Sequence, residues 1–532
     1  MRTATLGTQV RGTHHLVRLI LRRDRIRLPL WILGITAITA VSAPSVQSLY
    51  DTPEKRAGYA VTVDSSGAGK MMNGIPYDVN TLGGITAYET TSTATLLVAL
   101  MVMFLVVRHT RAEEESGRAE LLRATVTGRH AATAASVLVA VVASALVGVL
   151  DTLVFLSAGF DTQASLIHGA SLTGIGLVFT SVAAAAAQVT SSARAALGIA
   201  GSVVALAFVV RGVGAISDSW LRFVSPFGWA QEARPFGDAK WGWFVLLLVV
   251  AALGLLLAAY LTAHRDAGAG LLQPRPGSPR AAPFLSTPFG LALRLQRGLI
   301  IGWAVGLTLG AVLFGSLGKE VITMVEDNPE IAEVIAVGGA GILDGFFSYS
   351  LLLLAGIATA FTVSSVLRLR SEEDAGRAES VLATGLSRTR WVLGSLALTF
   401  TVSVLNLFLI GAGMGAANGL VGDDWSPFWK LVGGSLGMLP GVLLVAGIAV
   451  LLLGWLPRWS VLAWALFGFA LLQAYLGDLL RFPDALSGVS PFWHLPRVPA
   501  EQFTAAPAVV VLALALALCV AGVLGLRRRD IG

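Results

Sequence analysis

The charged side chains that could do chemistry in this sequence are concentrated in one segment that occurs twice. Arg111–Arg129 holds eight charged residues directly behind an almost uncharged stretch. A shift of 259 positions aligns it with Arg370–Arg388 at ten of nineteen positions, and both copies keep the order acid, any residue, Gly, Arg, Ala, Glu. The chain therefore carries the same potential function in two places.

Read as a helix, each copy pairs an acid with an arginine at i,i+4 spacing: Glu114 with Arg118, and Glu373 with Arg377. Such pairs contribute only about 0.2–0.5 kcal/mol each, so stability alone does not explain the duplication. Leucine and valine follow in each segment, which gives a short helix a charged face and an apolar edge. This composition favours docking of a protein partner over the alternative, a solvated helical hairpin.

Residue types that could form a disulfide, bind a metal or act in catalysis do not cluster elsewhere in the sequence. Cys519 lies in the last apolar stretch and the seven histidines are scattered, which argues against a disulfide framework or a metal site. Ser65–Met72 (SSGAGKMM) superficially suggests a phosphate loop, but Asp64 stands where a Walker A motif has its first Gly, and Met71 replaces the Ser or Thr that binds Mg²⁺. We therefore predict no catalytic, cofactor-binding or metal residues, and no enzyme activity of the chain itself.

The composition is that of a membrane protein. Hydrophobic residues make up 55% and charged residues 13% of the 532 residues, whereas soluble domains average about 25% charged residues. The mean hydropathy is +0.74. The basic excess is placed to face a membrane leaflet rather than nucleic acid, and its bias to 33 Arg over 5 Lys fits a GC-rich genome such as that of an actinobacterium.

Twelve apolar stretches approach the roughly 20 residues that a spanning helix needs. They are predicted at 28–48, 88–108, 132–156, 166–189, 195–212, 241–262, 298–316, 347–367, 391–416, 431–454, 460–477 and 505–526. With a cytoplasmic N-terminus, the inner segments collect 27 of the 38 Arg and Lys residues, in agreement with the positive-inside rule. We therefore predict a bacterial inner-membrane protein with both termini in the cytoplasm.

Asp151 is nearly the only charge inside a predicted span, near the outer end. We favour a snorkelling boundary residue over the alternative, a proton relay. Secondary transporters place ionisable residues at membrane depth to couple ions. Because the predicted spans contain so few charges, we expect the driving force to come from elsewhere.

The duplication extends over the whole chain. A shift of 272 aligns landmarks before the first and seventh spans: Arg22 with Arg294, Arg25 with Arg297, and Trp31 with Trp303. Further along, SPFGWA (Ser225–Ala230) is echoed by SPFWHLP (Ser490–Pro496), and the ending HRDAGAG (His264–Gly270) by RRDIG (Arg528–Gly532). These landmarks predict two parallel six-helix repeats at 1–270 and 289–532, joined by a proline-rich cytoplasmic linker at 271–288.

Three further segments have their own predictions. Residues 14–27 intersperse apolar residues with arginine at helical spacing, which favours a helix lying in the inner interface over an early start of the first span. The outer segments 50–87 and 317–346 are net acidic. Each of these two segments is consistent with a gate or lid, and equally with a solvated loop.

The order E-E-E/D-x-G-R-x-E after the second span of each half resembles the permeases of ABC exporters of the ABC-2 type. The fused twelve-span class that exports polyketide antibiotics and tetronasin-like compounds is the particular match. The resemblance covers essentially the whole chain, and it implies an all-α polytopic fold of the type V exporter kind. It also implies a chain that binds no cofactor, with ATP and Mg²⁺ on two copies of a separate ATP-binding subunit.

The resemblance further implies that each charged loop is a coupling helix, at about 109–126 and 368–385, seated in a cleft of the ATP-binding subunit. The coupling residues would be Glu113, Glu114, Glu115, Gly117, Arg118 and Glu120, and in the second half Glu372, Glu373, Asp374, Gly376, Arg377 and Glu379. Shorter inner loops around Arg194 and Arg458 would make minor contacts. Outer re-entrant segments would contain Ser225, Pro226, Phe227, Ser490, Pro491 and Phe492.

Two other function classes fit the sequence less well than an ABC permease. A major-facilitator antiporter also has two six-span repeats, but its loop pattern G-x-x-x-D-R-x-G-R is matched only at the tail, by Gly117 and Arg118. An integral membrane enzyme lacks a carboxylate, His or Cys cluster at catalytic spacing. Spans of Ala, Gly, Val and Leu suit a small hydrophobic or amphipathic substrate, and export rather than import follows from the resemblance alone.

Overall fold

The computed structural model describes residues 9–118, 127–266, 269–272, 279–318, 321–322, 341–476 and 483–528. Within these ranges the chain forms helices, turns and loops, without a strand. This confirms the prediction of an all-α fold for the described part of the chain. The chain divides into two compact units, Met1–Pro276 and Gly277–Gly532.

Unit 1 begins with a short helix and continues with long apolar ones. Its helices are α1 Thr13–Arg23, α2 Arg27–Leu49, α3 Pro53–Ser65, α4 Gly67–Asn73, α5 Leu82–His109, α6 Arg111–Glu115, α7 Ala131–Ser157, α8 Thr162–Val189, α9 Ala193–Ile216, α10 Pro226–Glu232 and α11 Trp241–His264, with a 3₁₀ turn at Trp220–Val224. Helices α5 and α8 are the most buried of the long ones. The outer segment predicted at 50–87 therefore contains two short helices, α3 and α4.

Unit 2 has the same kinds of element. Its helices are α12 Pro288–Ser316, α13 Ile342–Asp374, α14 Arg377–Leu382, α15 Arg388–Gly422, α16 Phe428–Gly437, α17 Leu439–Trp455, α18 Leu462–Leu476, α19 Asp484–Ser487 and α20 Ala505–Arg528, with 3₁₀ turns at Pro283–Ser286, Pro457–Trp459 and Pro491–His494. Helices α13 and α17 are the most buried long ones. Most of the segment predicted at 317–346 lies outside the described residues.

Eleven helices of the described chain are long and apolar enough to cross a membrane, against the twelve predicted. The difference falls on the predicted span 460–477. Its helix, α18, is 15 residues long, which at 1.5 Å per residue is about 22 Å, less than the roughly 30 Å of a bilayer core. The residues that follow it, 477–482, lie outside the described part.

Polar side chains set the starts of several long helices. The side chains of Thr81, Asp161 and Ser192 accept hydrogen bonds from the backbone at the beginnings of α5, α8 and α9, and Ser387 does the same for α15. Such caps satisfy amide donors that have no partner within the helix. They define the helix boundaries more sharply than the hydrophobic pattern does.

The helix at the N-terminus is shorter than predicted. Helix α1 ends at Arg23 rather than at residue 27, and a turn at Asp24–Ile26 separates it from α2. Leu16 and Ile20 form its buried face. A separate helix is therefore present before the first long one, and its position in the membrane interface stays a prediction.

Candidate functional site: the duplicated charged segments

Both charged segments contain a helix that ends at a glycine in the left-handed conformation. In unit 1, α6 ends at Glu115 and Gly117 has a φ of +73°. In unit 2, α13 runs through Asp374, and Gly376 has a φ of +67° before α14 begins. Glycine at this position is a common helix stop because it has no Cβ to clash. The prediction of one continuous helix over each segment is therefore wrong at the glycine.

The broken helix changes the ion pairs. Arg118 binds Glu113 (Nε–Oε2, 3.2 Å) and Arg377 binds Glu372 (Nε–Oε2, 2.6 Å). The predicted pairs with Glu114 and Glu373 are wrong, because the turn at the glycine leads each arginine back to the acid five positions before it. The equivalent pair forms in both units.

Glu114 instead lies in a buried clamp of two arginines. Arg265 holds both carboxylate oxygens, with Nη2–Oε1 at 2.7 Å and Nη1–Oε2 at 2.9 Å. Arg111 adds a third contact, Nη1–Oε2 at 2.8 Å. The Arg111 side chain is fully buried and those of Arg265 and Glu114 nearly so. This carboxylate points into unit 1 and is not available to a partner.

The second unit repeats part of this arrangement. Glu373 is nearly buried, and Arg370 lies 3.4 Å from it and 2.8 Å from Asp374. Arg370 corresponds to Arg111 in the repeat. The residue that corresponds to Arg265 is Arg529, which lies outside the described residues.

The remaining acidic residue of the first segment caps another helix. A carboxylate oxygen of Glu115 accepts a hydrogen bond of 2.8 Å from the backbone N–H of Ala193, the first residue of α9. A negative charge is favourable at a helix N-terminus. Glu120 lies outside the described residues, whereas Glu379 lies in the first turn of α14.

Helix α1 and the residue after it contact the first charged segment and the end of α5. Arg23 donates to Glu113 at 2.8 Å. Directly after α1, Asp24 lies 2.5 Å from Nε2 of His109, the last residue of α5, and both side chains are buried. In unit 2, Gln296 occupies the position of Asp24 in the repeat and accepts a hydrogen bond from Ser365. The second half therefore replaces an ionisable contact with a neutral one.

Exposure separates the residues of the segments into two groups. The side chains of Arg118 and Arg377 are 56% and 59% exposed, at the turn of each segment. The acids that bind them, Glu113 and Glu372, are only 14% and 15% exposed. Other acids of the segments are exposed as well: Glu115, Asp374 and Glu379. Charges of both signs are therefore accessible in the segments, while Glu113 and Glu372 mainly hold each segment to its own unit.

A cavity of about 400 Å³ lies between α1, the first charged segment and α7. One wall is apolar, with Leu16 and Ile20, and the other carries Glu113, Arg129 and Arg265. This volume lies in the range of small-molecule sites. Such a lining suits an amphipathic compound better than a purely polar one.

The first SPF segment is anchored to two long helices. Ser225 caps α10 by accepting from the N–H of Phe227 (3.2 Å) and donates to the carbonyl of Ala207 (2.7 Å), while Pro226 is the first helical residue. The buried ring of Phe227 packs on Phe179, with 5.1 Å between ring centroids. The serine and proline start the helix, and the phenylalanine docks it.

The second SPF segment is buried in the same way. Ser490, Pro491 and Phe492 begin a short 3₁₀ turn, and all three are buried. The Phe492 ring lies against α17 at Gly441, where an added Cβ would approach it to 3.0 Å. That these segments re-enter the membrane from outside stays a prediction.

Asp151 is not a snorkelling residue. It lies in α7 with no exposed surface, and its Oδ2 is 2.8 Å from Nε2 of His168 in α8, which is also buried. The ring of Phe155 lies 4.5 Å from that imidazole. Asp151 and His168 are equally far in sequence from the turn that joins the antiparallel helices α7 and α8. This equal spacing is the feature of the sequence that predicts their contact.

A second buried charge was not singled out from the sequence. Arg211 of α9 has no exposed surface and donates to the carbonyl of Met72 (2.9 Å) and to Ser92 (3.3 Å). Its guanidinium also lies 4.3 Å from the ring of Phe208. The spans therefore contain more buried ionisable groups than the hydropathy pattern indicated.

Comparison with known proteins places these features in a family. The family described as "Multidrug efflux system permease Rv1217c, C-terminal domain" matches residues 14–263 and 285–527. The chain is also 38% identical over 530 residues, 99% of its length and 96% of the relative's, to "Multidrug efflux system permease protein Rv1217c" of Mycobacterium tuberculosis (strain ATCC 25618 / H37Rv). The chain belongs to this family of multidrug efflux permeases.

Family membership confirms the coarse predictions. The chain is a multi-pass membrane protein with many apolar helices, and its family is one of transport permeases. The finer predictions, an ABC-2 class, two ATP-binding partners and cytoplasmic termini, remain predictions. The charged segments fall within the matched ranges of both halves.

Proposed function

We propose that the permease is the transmembrane subunit of an ATP-driven ABC exporter of the ABC-2 type, with one copy of a separate ATP-binding subunit docked on each charged segment. The observation that carries this proposal is the geometry common to both segments: a helix stops at a left-handed glycine, and the next arginine stands exposed at the turn. Two equivalent surfaces suit two copies of one partner. The relative's name describes the permease of an efflux system, which implies further subunits.

Fewer of the coupling residues are exposed for docking than the resemblance implies. Arg118 and Arg377 provide the exposed positive charge at the turns, so the cleft of the partner would present carboxylates to them, and cations to exposed acids such as Asp374. Glu114 and Glu373 are turned into their own units and would act by holding the segments in place. ATP and Mg²⁺ would bind to the partner subunits.

The proposed substrate is a hydrophobic or amphipathic compound of the antibiotic or drug class, moved out of the cell. The relative's printed description as a multidrug efflux permease supports this substrate class. The cavity beside α1, with its apolar and charged walls, gives such a compound a place to bind from the inner side of a bacterial cell membrane. No nucleic-acid partner is proposed.

The deciding experiment measures ATP hydrolysis by the purified ATP-binding subunit with and without the permease in lipid nanodiscs. We expect the permease to stimulate hydrolysis, and the double charge reversal Arg118→Glu with Arg377→Glu to remove the stimulation and weaken subunit binding. Like charges brought together across the interface would cause the loss. Stimulation at the wild-type level in the double variant would contradict docking at these turns.

A matched control comes from two exposed lysines with acidic neighbours. Lys55 pairs with Asp51 and Lys240 with Asp238, at 54% and 41% exposure. Lys55→Glu with Lys240→Glu changes the net charge by the same amount, away from the charged segments. We expect this variant to bind the partner and stimulate hydrolysis like the wild type.

A proton-coupled antiporter remains the second candidate because of the buried Asp151–His168 pair. Ionisable pairs at membrane depth are typical of proton pathways. In inside-out vesicles, an antiporter would export ethidium with a proton gradient and no ATP, and Asp151→Asn would abolish that activity. We expect ATP-dependent export that persists when the gradient is collapsed.

A further inference from the structure

The ending shared by the two halves of the sequence has no role in the function proposed so far. In unit 1 this ending begins at His264, the last residue of α11. Its arginine, Arg265, does not face solvent but reaches Glu114 in the first charged segment. The ending of the first half thus contacts the first charged segment directly, and the sequences of both recur in the second half.

Arg265 connects three helix ends through one guanidinium group. It holds both carboxylate oxygens of Glu114 in α6, and its Nε donates to Oε1 of Gln188 near the end of α8 at 2.6 Å. Its Nη1 also donates to the carbonyl of Ala269 at 2.8 Å. The planar, bidentate geometry of arginine fixes orientation as well as distance, which an ammonium group cannot do.

Arg111 completes the same clamp from the side of the segment. Its Nε donates to the carbonyl of Ala187 at 2.9 Å, and its Nη2 to that of Ala269 at 3.2 Å. These carbonyl oxygens accept hydrogen bonds from the two guanidinium groups that flank the carboxylate. The full set of described contacts forms while α6, α8 and the residues after α11 keep their relative positions.

We propose that Arg265 is a positioning residue that transmits movement of the first charged segment to the ends of α8 and α11. This inference rests on the proposed function, because it concerns the segment on which the ATP-binding subunit would dock. A displacement of α6 that left α8 and α11 behind would break the bidentate contact of Arg265 with Glu114 and the hydrogen bonds of both arginines to the end of α8. The clamp thus couples docking to the long helices.

The test uses the complete permease with its ATP-binding subunit in inside-out vesicles and ethidium as the transported probe. The quantity measured is ethidium exported per ATP hydrolysed. For Arg265→Gln we expect this ratio to fall about fivefold or more, the lower end of typical coupling effects. Arg265→Lys restores the charge without the bidentate geometry and is expected to recover only part of the ratio.

Arg222 supplies a matched control in the same unit. It binds the nearly buried Glu232 at 3.1 Å, away from the charged segments. Arg222→Gln removes a comparable ion pair and is expected to leave export per ATP at the wild-type value. Hydrogen exchange should be faster at residues 111–118 in Arg265→Gln and unaltered there in Arg222→Gln.

The outcomes separate the two proposals. If wild-type export requires ATP and Arg265→Gln keeps the wild-type ratio, or loses export and hydrolysis in equal proportion, the positioning role is overturned and the ABC function stands. If wild-type export does not depend on the ATP-binding subunit, the proposed function falls and the role of Arg265 in it falls as well. A ratio of export to hydrolysis that falls in Arg265→Gln but not in Arg222→Gln supports the positioning role of Arg265.

Discussion

Gly117 and Gly376 determine the shape of the two charged segments through their backbone rather than their packing. An added Cβ would meet no atom within 4 Å at either position. Both residues nonetheless have φ values in the left-handed region, where an L-residue with a side chain costs roughly 1–2 kcal/mol. The turn, and with it the exposure of the following arginine, depends on this conformation.

Replacing these glycines should loosen the turns. We expect Gly117→Ala and Gly376→Ala each to cost about 1 kcal/mol of local stability and to reduce permease-stimulated ATP hydrolysis. Gly198 in α9 also has open space around it but ordinary helical backbone, so Gly198→Ala serves as the control. Hydrogen exchange at the segments measures the effect, and equal exchange in all three variants would argue against a conformational role.

Tyr77 offers a test of the electrostatics outside the long helices. Burial, and then its hydrogen bond of 2.6 Å to Glu232, raise the pKa of the Tyr77 phenol to about 12. Because the folded pKa lies above the unfolded value near 10, the stability from this group is complete below pH 10 and is lost as the pH rises through 12. Ultraviolet titration of tyrosinate, with Tyr77→Phe to assign the signal, should find this late step.

A substitution of Glu232 tests how much this carboxylate contributes to the raised pKa of Tyr77. Glu232→Gln removes the negative charge and is expected to lower the pKa of Tyr77 towards its ordinary value, although burial still raises it. A pKa unchanged by this substitution would assign the whole shift to burial.

Residue types and their duplication were enough to find the charged segments, but not to pair their side chains. The i,i+4 pairing assumed a helix through Gly117 and Gly376, and the left-handed turn moved each arginine to a different acid. The role of Arg265 could not be inferred locally, because its partner Glu114 is distant in sequence. Burial of Asp151 likewise depends on a neighbouring helix.

At the scale of helices, glycines set the closest packing in each unit. A Cβ on Gly148 of α7 would lie 2.3 Å from the carbonyl oxygen of Gly169 in α8, and a Cβ on Gly169 would lie 2.2 Å from that of Gly148. In unit 2, a Cβ on Gly454 of α17 would lie 2.1 Å from the carbonyl oxygen of Gly522 in α20. Small residues let membrane helices approach at backbone contact.

Alanine at these crossings should separate the helices. We expect Gly148→Ala, Gly169→Ala and Gly454→Ala each to destabilise by about 1–3 kcal/mol, because the clash is with backbone that cannot move aside. Thermal unfolding in detergent measures the loss. Gly34→Ala in α2, where no atom lies within 4 Å, is expected to leave the unfolding temperature near the wild-type value.

The hydrophobic pattern predicted helix existence well and helix ends less well. Apolar stretches of spanning length carry a strong signal, and eleven of the twelve predicted spans have helices long enough to cross a membrane. Ends were missed where polar residues continue a helix, as in α5, which begins at Leu82 rather than near 88, and in α15, which continues to Gly422. The start of α5 is set by the side-chain cap of Thr81, and α15 ends where Asp423 adopts the left-handed conformation; neither position follows from hydropathy.

At the scale of the whole molecule, each unit has its own apolar core. Every hydrophobic cluster of the described residues lies within a single unit, the largest around Val102 and Phe179 in unit 1 and around Phe347 and Leu407 in unit 2. Each unit therefore has the contacts it needs to fold without the other.

Dividing the chain between Pro276 and Gly277 should therefore preserve function. We expect residues 1–276 and 277–532, expressed as two chains in one cell, to restore drug resistance to within a few-fold of the intact protein. A division at Ala158, which separates Asp151 from His168, is the control and should fail. Loss of resistance with the first division, despite stable insertion of both chains, would show that the covalent connection itself is required.

The pairing of Arg118 and Arg377 with acids of their own units has a consequence for assembly. A partner that offers carboxylates to these arginines exchanges one ion pair for another, since Glu113 and Glu372 already bind them. Such an exchange yields little net electrostatic energy, so attachment should respond weakly to ionic strength and be readily reversible. In the undocked protein, meanwhile, Arg118 and Arg377 are each paired with an acid of their own segment, which lowers their attraction for unrelated acidic molecules.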